Sequence, residues 1–571
     1  MSLPADRTEL PGRRALLVLF LLGLLVRLAA LAELSSGPWC SVLLGDARSY
    51  DDWAQRIAAG DAVGEGVFFQ APLYPYLLGV VYAVLGHRLL VVFVLQSVLG
   101  ALTAVLVADG GARLFGRSAG LAAGAWTALY VPAIAYDLQI EKTSVALFLS
   151  ALLLWIVAAA PAGISWKRAL VTGALLGALT LLRENAAILV VPLAVLVARS
   201  GAARAPALGA LVAGFVLALL PVALRNLAVG GAFVPTASNA GVNFYIGNGA
   251  DADGLYRPLV AGRGHADYER EDAARIAESL AGRSLSPAEV SAFWFGQARR
   301  EIAAEPGHFL GVLARKLAWL VDRHEIMDAV AVESFADGSV VLKLLAPVGF
   351  GLLLPLAAAG IVLARGRGPR AAFALQSALA LALGIVAFFV NARFRLGLVP
   401  FLAPFAGLGL IRLVRRPRQP WAWLAFAGAL VAAWWPRTSP GDPRATSLSN
   451  LASELLRRDD APGAERWARA AIEADPGSAE AAYNLGIALR RQGRNAEAVP
   501  ALESARKLEP AYTVDVLAEL GAVRALAGDR EGAAALLDQA LELAPDHIAA
   551  RRYREALEHE SGRAPDAQRS E

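Results

Sequence analysis

Long apolar runs, broken by short polar stretches and clustered arginines, occupy the chain up to about residue 436. A helix needs roughly 20 apolar residues to cross a bilayer. Eleven stretches approach or reach that length, beginning near Ala15, Leu89, Ser118, Thr143, Ala169, Asn185, Ala205, Leu344, Ala371, Leu396 and Gln419, of which those near Ala169 and Asn185 are short. A twelfth, Pro72 to Gly86, decides the topology, because counting it as a span reverses the side of every later loop. The bias of Lys and Arg toward the cytoplasmic side arbitrates. With this stretch lying in the interface, Arg13-Arg14, Arg113 and Arg117, Lys167-Arg168, Arg199 and Arg204, Arg365 to Arg370 and Arg412 to Arg418 all share one side. Its two Pro and three Tyr suit the headgroup region.

Past residue 436 the pattern becomes that of a soluble, charged, Ala-rich segment. From 446 to 546 it repeats every 34 to 35 residues, with Leu451-Ala452, Leu485-Gly486 and Leu520-Gly521 in register. Gly493 matches Gly528, Ala505 matches Ala540, and Pro476, Pro510 and Pro545 end successive units. This period, with small residues where helices pack and Pro at the unit end, resembles tetratricopeptide repeats. It predicts about three helical hairpins closed by a helix near His547 to Glu558. Such solenoids bind partners through a concave face, which implies a protein partner; a stabilising appendage is the alternative.

Composition agrees: 571 residues, 56% hydrophobic and only 18% charged, are expected to form an all-α protein. A polytopic transmembrane bundle of about eleven spans (1–436) precedes a soluble α-solenoid (437–571). The single cysteine, Cys40, excludes an internal disulfide and any CxxC metal site. The net charge of +4 comes with Arg placed beside spans, so it calls for a membrane and no nucleic acid. The first apolar run is expected to stay as a membrane helix, since no convincing cleavage site follows it.

The N-terminus is then cytoplasmic and, with eleven spans, the C-terminal segment lies outside. The external face collects the loop 33–86, the turn Asp137 to Lys142, the pair Arg183-Glu184, the segment 225–343 and the turn Asn391 to Arg395. Arg183-Glu184 is read as a tight turn between short helices, because an ion at mid-membrane costs roughly 2.5 to 3.5 kcal/mol. The cytoplasmic loops are short and basic, with no Walker or Rossmann glycine pattern.

One external stretch concentrates carboxylates: Gly45-Asp46-Ala47-Arg48-Ser49-Tyr50-Asp51-Asp52-Trp53. An acid at a membrane surface can take a proton from a hydroxyl or hold a metal. The plainer alternative is a solvated loop whose Asp residues cap a helix running from Tyr50 to Ala59. Glu141 shares the face with Asp46, and a pair of carboxylates can divide the work of base and orienting group. Lys142, Arg225, Arg393 and Arg395 lie on the same side, and the planar fork of Arg suits a phosphate. Snorkelling into headgroups is the competing role for Arg393 and Arg395.

Here a resemblance enters. GDARSY, AQRIAAG, APLYPYLL, LQSVLGALTAVLV with ARLFGRSAG, DLQIEKTSVALFL, PVALRNLAVGGAFVPTASNAGVNFYIGN and NARFRLGLVPFLAP together resemble bacterial membrane glycosyltransferases of the GT-C superfamily. The likeness extends over most of residues 15 to 412 and points to the protein O-mannosyltransferase and aminoarabinose transferase groups. It implies transfer of a sugar from a polyprenyl-phosphate carrier to a protein or glycolipid acceptor on the external face, with inversion. It places the catalytic aspartate on Asp46, the second acid on Glu141 and the phosphate-binding arginine on Arg393 or Arg395. Many relatives carry Asp-Glu at the first site, where this chain has Asp46-Ala47. Tyr50, Asn239, Asn243 and Asn248 are the candidate sugar contacts, although Asn and Gly at this density also suit a tight loop.

The sequence makes no cofactor certain. A divalent cation such as Mg, Mn or Ca on Asp46, Asp51, Asp52 and Glu141 stays open, whereas His265, His308 and His324 are too scattered for zinc. The segment 265–325, with Trp294, Phe309 and Trp319 in amphipathic stretches, is expected to lie on the interface and roof the site. The location expected is a bacterial cytoplasmic (inner) membrane, in contact with its lipid. An oligosaccharide ligase is the nearest enzymatic rival; a transporter of lipid-linked glycans or a membrane scaffold are the others.

Overall fold

A computed structural model describes residues 10–160, 164–199, 204–260, 266–326, 329–437 and 441–561; His265 lies outside them. It divides into two compact units, Met1–Asp328 with Phe335–Pro436, and Ala329–Ser334 with Arg437–Glu571. Regular structure among the described residues is helical throughout.

As far as Pro436 the chain forms α1 (Arg13–Leu34), α2 (Asp46–Ala58), α3 (Leu73–Leu85), α4 (Leu89–Phe115), α5 (Arg117–Leu129), α6 (Val131–Asp137) and α7 (Thr143–Ala158). There follow α8 (Trp166–Thr180), α9 (Val190–Ala198), α10 (Arg204–Gly230), α11 (Ala240–Asn248), α12 (Ala266–Ala281), α13 (Pro287–Ala304) and α14 (Pro306–Val321). The last group is α15 (Val332–Asp337), α16 (Val340–Leu345), α17 (Phe350–Leu363), α18 (Pro369–Ala387), α19 (Ala392–Arg395), α20 (Val399–Arg415) and α21 (Pro420–Trp434). Each of the eleven apolar stretches is helical. Among the described residues, six stretches are long and apolar enough to cross a membrane: α1, α4, α10, α16 with α17, α18, and α19 with α20. Helices α5 and α6 add a seventh if they form one span bent by 50°, where Pro132 removes a backbone donor at the joint. The 13 residues of α3 are too few to span, and α7, Glu184–Ala198 and α21 are also short apolar helices. This is the architecture of a multi-pass membrane protein. Leu17, Val18, Leu21 and Leu25 on α1 and Val212, Val216 and Leu220 on α10 face outward, as lipid contact requires.

Between apolar helices in lipid, close packing replaces the hydrophobic effect. A Cβ on Gly173 of α8 would lie 2.0 Å from the Leu211 carbonyl of α10, and one on Gly360 of α17 would lie 1.8 Å from that of Phe405 on α20. Arg27 is buried among the spans and paired: its Nε donates to Asp137 Oδ2 at 2.6 Å and its Nη1 to the Ala128 carbonyl at 2.8 Å. Gly100 leaves the space for this pair, since a Cβ there would sit 2.2 Å from Asp137 Oδ2. The clamp ties α1 to α6 and thereby sets the start of the turn that carries Glu141.

The second unit contains α22 (Pro443–Arg457), α23 (Ala461–Ala474), α24 (Ala479–Arg491), α25 (Asn495–Leu508), α26 (Thr513–Leu526), α27 (Arg530–Leu543) and α28 (Ile548–Ser561). These are three hairpins and a closing helix. Asp442, Asp460, Ser478 and Asp529 cap helix N-termini by accepting from backbone N–H groups. The recurring glycines sit at crossings: a Cβ on Gly486 or Gly521 would meet Leu502 or Leu537 within 2.8 Å.

Candidate active site

The first acid is delivered by a turn. Gly45 has φ +55°, a left-handed conformation that glycine adopts without strain, and Asp46 then opens α2, where the positive end of the helix dipole favours its charge. Asp46 Oδ1 accepts from Gln70 Nε2 at 2.7 Å and Oδ2 from Arg393 Nη1 at 2.5 Å. The expected helix from Tyr50 therefore begins four residues earlier, at Asp46 itself.

The second acid arrives on the turn between α6 and α7. Gln96 of α4 donates to the carbonyls of Asp137 and Gln139 at 3.0 and 2.7 Å, and is itself held by the Tyr74 hydroxyl at 2.8 Å. So fixed, Glu141 is buried with Oε2 3.4 Å from Arg393 Nη1 and Oε1 3.6 Å from Arg183 Nη2. Arg393 enters from α19, whose first turn is capped by Asn391 Oδ1 accepting from the Arg393 N–H at 2.9 Å. Phe394 lies between two guanidinium groups, 5.5 Å from that of Arg183 and 5.5 Å from that of Arg393. Buried Lys142 stands 5.4 Å from the Tyr50 ring, and the buried Tyr50 hydroxyl has no protein hydrogen-bond partner.

Four loops thus converge, following α1, preceding α7, following α8 and following α18. Burial works to raise the Asp46 carboxyl, yet the charges of Arg393 and Lys142 and the hydrogen bonds from Arg393 and Gln70 outweigh it and hold the group below its usual range. Burial lowers the ammonium of Lys142, against the pull of Glu184 and Glu141. Burial, then the charges of Asp46 and Glu141, raise the Tyr50 phenol and keep it protonated. A narrow cleft opens from Arg183 and Arg393 along Thr143, Ala146, Leu147 and Ser150 of α7, Leu179 of α8 and Leu381 of α18.

The side chains of Arg395, Arg225 and Asn248 are engaged elsewhere, which corrects the expectation for these three. Arg395 is sealed away from this cluster: Nη1 donates to the Asp322 carbonyl at 2.6 Å, and Nη2 to the His324 carbonyl and Glu325 Oε2, both at 2.6 Å. Its guanidinium also stacks 4.5 Å from Phe350, so it has a structural post. Arg225 grips the Val63 and Gly66 carbonyls and lies 3.8 Å over Phe68. Asn248 is buried, donating to the Phe244 and Ala387 carbonyls and accepting from Lys316 Nζ at 2.7 Å. Asn239 and Asn243 form the first turn of α11, where Asn243 N–H donates to the Asn239 carbonyl at 3.0 Å. The glycines of this motif serve helix contact instead of a tight loop: a Cβ on Gly241 would lie 1.9 Å from the Ser291 carbonyl.

A divalent cation does not fit these residues. The position between Asp46 and Glu141 is held by the Arg393 guanidinium, Asp51 is bound to Tyr82, His87 and Gln55, and Asp52 pairs with Arg48 at 3.5 Å. No group of three His, Cys, Asp or Glu among the described residues could hold a metal.

Sequence reasoning left out Gln70, Arg183 and Glu269. The adjacent charges of Arg183-Glu184 between two short apolar stretches were the signal available for Arg183, but by themselves they indicate only a tight turn. Helices α12 and α13 form a cluster in which Ala273, Ala277 and Trp294 pack with Val242, Ile246 and Phe389. On α12, Glu269 feels the charges of Asp46 and Arg393.

A family model, dolichyl-phosphate-mannose-protein mannosyltransferase, matches residues 70–224. A tetratricopeptide repeat model matches residues 467–499. No curated protein matches the sequence. Among solved structures, the oligosaccharyltransferase of Archaeoglobus fulgidus in complex with Zn and sulfate aligns with 81% of this chain and 57% of its own, at 13% identity and a TM-score of 0.41. The AglB oligosaccharyltransferase of that organism, in complex with an inhibitory peptide and a dolichol-phosphate, aligns with 81% and 59%, at 13% identity and 0.37. The TPR protein YrrB, with an unusual peptide-binding site, aligns with 33% and 91%, at 22% identity and 0.18. The chain spans less than two thirds of the length of these oligosaccharyltransferases, and none of these likenesses assigns a role to a residue.

Proposed function

We propose that this chain, which carries a GT-C membrane glycosyltransferase domain of the dolichyl-phosphate-mannose-protein mannosyltransferase family followed by tetratricopeptide repeats, moves a sugar from a polyprenyl-phosphate donor to an acceptor hydroxyl. The reaction is an inverting displacement at the external face of a bacterial inner membrane. The N-terminus is cytoplasmic and the repeats are extracytoplasmic, where they hold a protein partner. The acceptor is a protein or a glycolipid.

One observation carries the reading. Arg393 contacts the carboxylates of Asp46 and Glu141, at 2.5 and 3.4 Å, beside a small cavity lined by Ala146, Leu147, Leu179 and Leu381 together with Thr143 and Ser150. An arginine so placed can grip the donor phosphate with part of its fork while the carboxylates set its orientation. Arg183 and Lys142 add positive charge on the side from which the phosphate departs, where charge develops in the transition state. Asp46, ionised across neutral pH, orients the acceptor hydroxyl, and the Tyr50 phenol is free to donate to a sugar oxygen. The lipid tail lies along α7 and α8. The four converging loops also require the ends of α1, α8 and α18 to share a face with the start of α7, as the distribution of basic residues implies.

The test uses purified full-length protein, polyprenyl-phosphate mannose, its pentose counterpart, and serine or threonine peptides or glycolipids as acceptors. Transfer with release of polyprenyl phosphate is expected, and Asp46→Asn should lower the rate roughly 10²- to 10³-fold at unchanged thermal stability. Full activity in Asp46→Asn would remove the acid from the site.

A further inference from the structure

Asp46 is poorly made for taking up a proton. Both its oxygens already accept hydrogen bonds, from Gln70 and from the cationic Arg393, and an anion stabilised in this way is a weak base. Another acid lies within the electrostatic field of the same pair. Glu269 lies in the first turns of α12, which packs on α2. The Tyr256 hydroxyl donates to its carboxylate, and it feels the charges of both Asp46 and Arg393. Its Oε1 is buried and accepts no hydrogen bond from the protein. A buried carboxylate oxygen without a donor is costly unless something brings it a proton.

Building on the transfer reading, we propose that Glu269 is the catalytic base: its Oε1 receives the proton of the acceptor hydroxyl. As the acceptor oxygen bonds to the anomeric carbon, the bond from that carbon to the donor's phosphate oxygen breaks. The electron pair leaves with the polyprenyl phosphate, and the hydroxyl proton passes to Glu269, which returns it to water before the next turnover. Asp46 and Arg393 then hold acceptor and donor in line without changing protonation.

The groups that face Glu269 are Asp46 from α2, Arg393 from α19 and Tyr256 from the loop before α12. Burial and the negative charge of Asp46 push its carboxyl up to about 7, against the opposing effects of Arg393 and the Tyr256 hydrogen bond. A base with this value is half ionised at neutral pH and accepts a proton more readily than an ordinary carboxylate.

The experiment measures polyprenyl phosphate release from polyprenyl-phosphate mannose or pentose, with the acceptor panel above, between pH 5 and 9. The wild-type rate should fall on the acid side through a step at about pH 7. Glu269→Gln should lower kcat roughly 10²-fold and abolish the acid step. Tyr256→Phe keeps the ring against Phe389 but removes the hydrogen bond that favours the anion, so the step should move to higher pH. Glu269→Gln with wild-type kcat and an intact acid step overturns the assignment, as does an unmoved step in Tyr256→Phe, which decides the matter should the first variant fail to fold. A wild-type protein that releases no polyprenyl phosphate removes the transfer reading itself, and this role falls with it; an active wild type with an unaffected Glu269→Gln removes the role alone.

Discussion

Arg393 and Arg395 stand two residues apart on one four-residue helix, and they do opposite work. Arg395 is almost fully buried and meets three backbone carbonyls and Glu325, joining α19 to the end of α14 and the segment that follows it. Arg393 meets two carboxylates on separate loops, in a cluster where Lys142 and Arg183 add charge. Successive helical residues are about 100° apart, so a pair at i and i+2 points to nearly opposite sides. Only one of the two can face the cleft. The other is left with the task of anchoring the helix that aims its neighbour, and a carbonyl cradle with a single counter-charge suits that task because it has little to offer an incoming anion.

The sharpest way to break this contrast is to truncate each arginine and read stability and activity together. Arg393→Ala should lower kcat/KM roughly 10³-fold, about 4 kcal/mol, with a smaller loss of thermal stability than Arg395→Ala, because Arg183 stays 3.6 Å from Glu141. A drop in stability as large as that for Arg395 would erase the distinction. Arg395→Ala leaves Glu325 buried without its partner and should cost about 3 kcal/mol of stability, seen as a lower unfolding temperature in detergent; activity then falls only as folded protein is lost. Arg225→Ala should have the smallest effect, roughly threefold in kcat/KM, because it loosens the loop at Val63 and Gly66 and not the site itself. It is read by proteolysis of that loop as well as by rate.

The pH dependence sharpens the same contrast. The Asp46 carboxyl is depressed in the folded state, so its contribution to stability is fully present above the ordinary carboxylate range and disappears only as pH falls through the lower folded value. The Arg393 pair is therefore intact throughout pH 5 to 9, and a rate step near neutrality belongs to another group.

Much of this protein can be read along the chain. Apolar length marks the helices, the 34-residue period marks the solenoid, and Pro and Gly mark the breaks, because each depends on residues close in sequence. Asp46, Glu141 and Arg393 also stand out there, as charges next to apolar runs. Other parts depend on distance across the fold. Nothing in NARFR tells which arginine faces inward until α18 breaks at Phe388 and α19 starts at Ala392. Asn248 looks like a sugar contact until Lys316, 68 residues away, takes its carbonyl oxygen.

Hydropathy and periodicity are local sums, and they determined what the helices are and that they cross a membrane. Which charges meet was decided by packing alone: Gly100 makes room for Arg27 and Asp137, Gln96 holds the Glu141 turn, and α12 places Glu269 in the field of Asp46. Electrostatic energy depends on separation in space and on burial, and neither quantity is fixed until the chain has closed on itself.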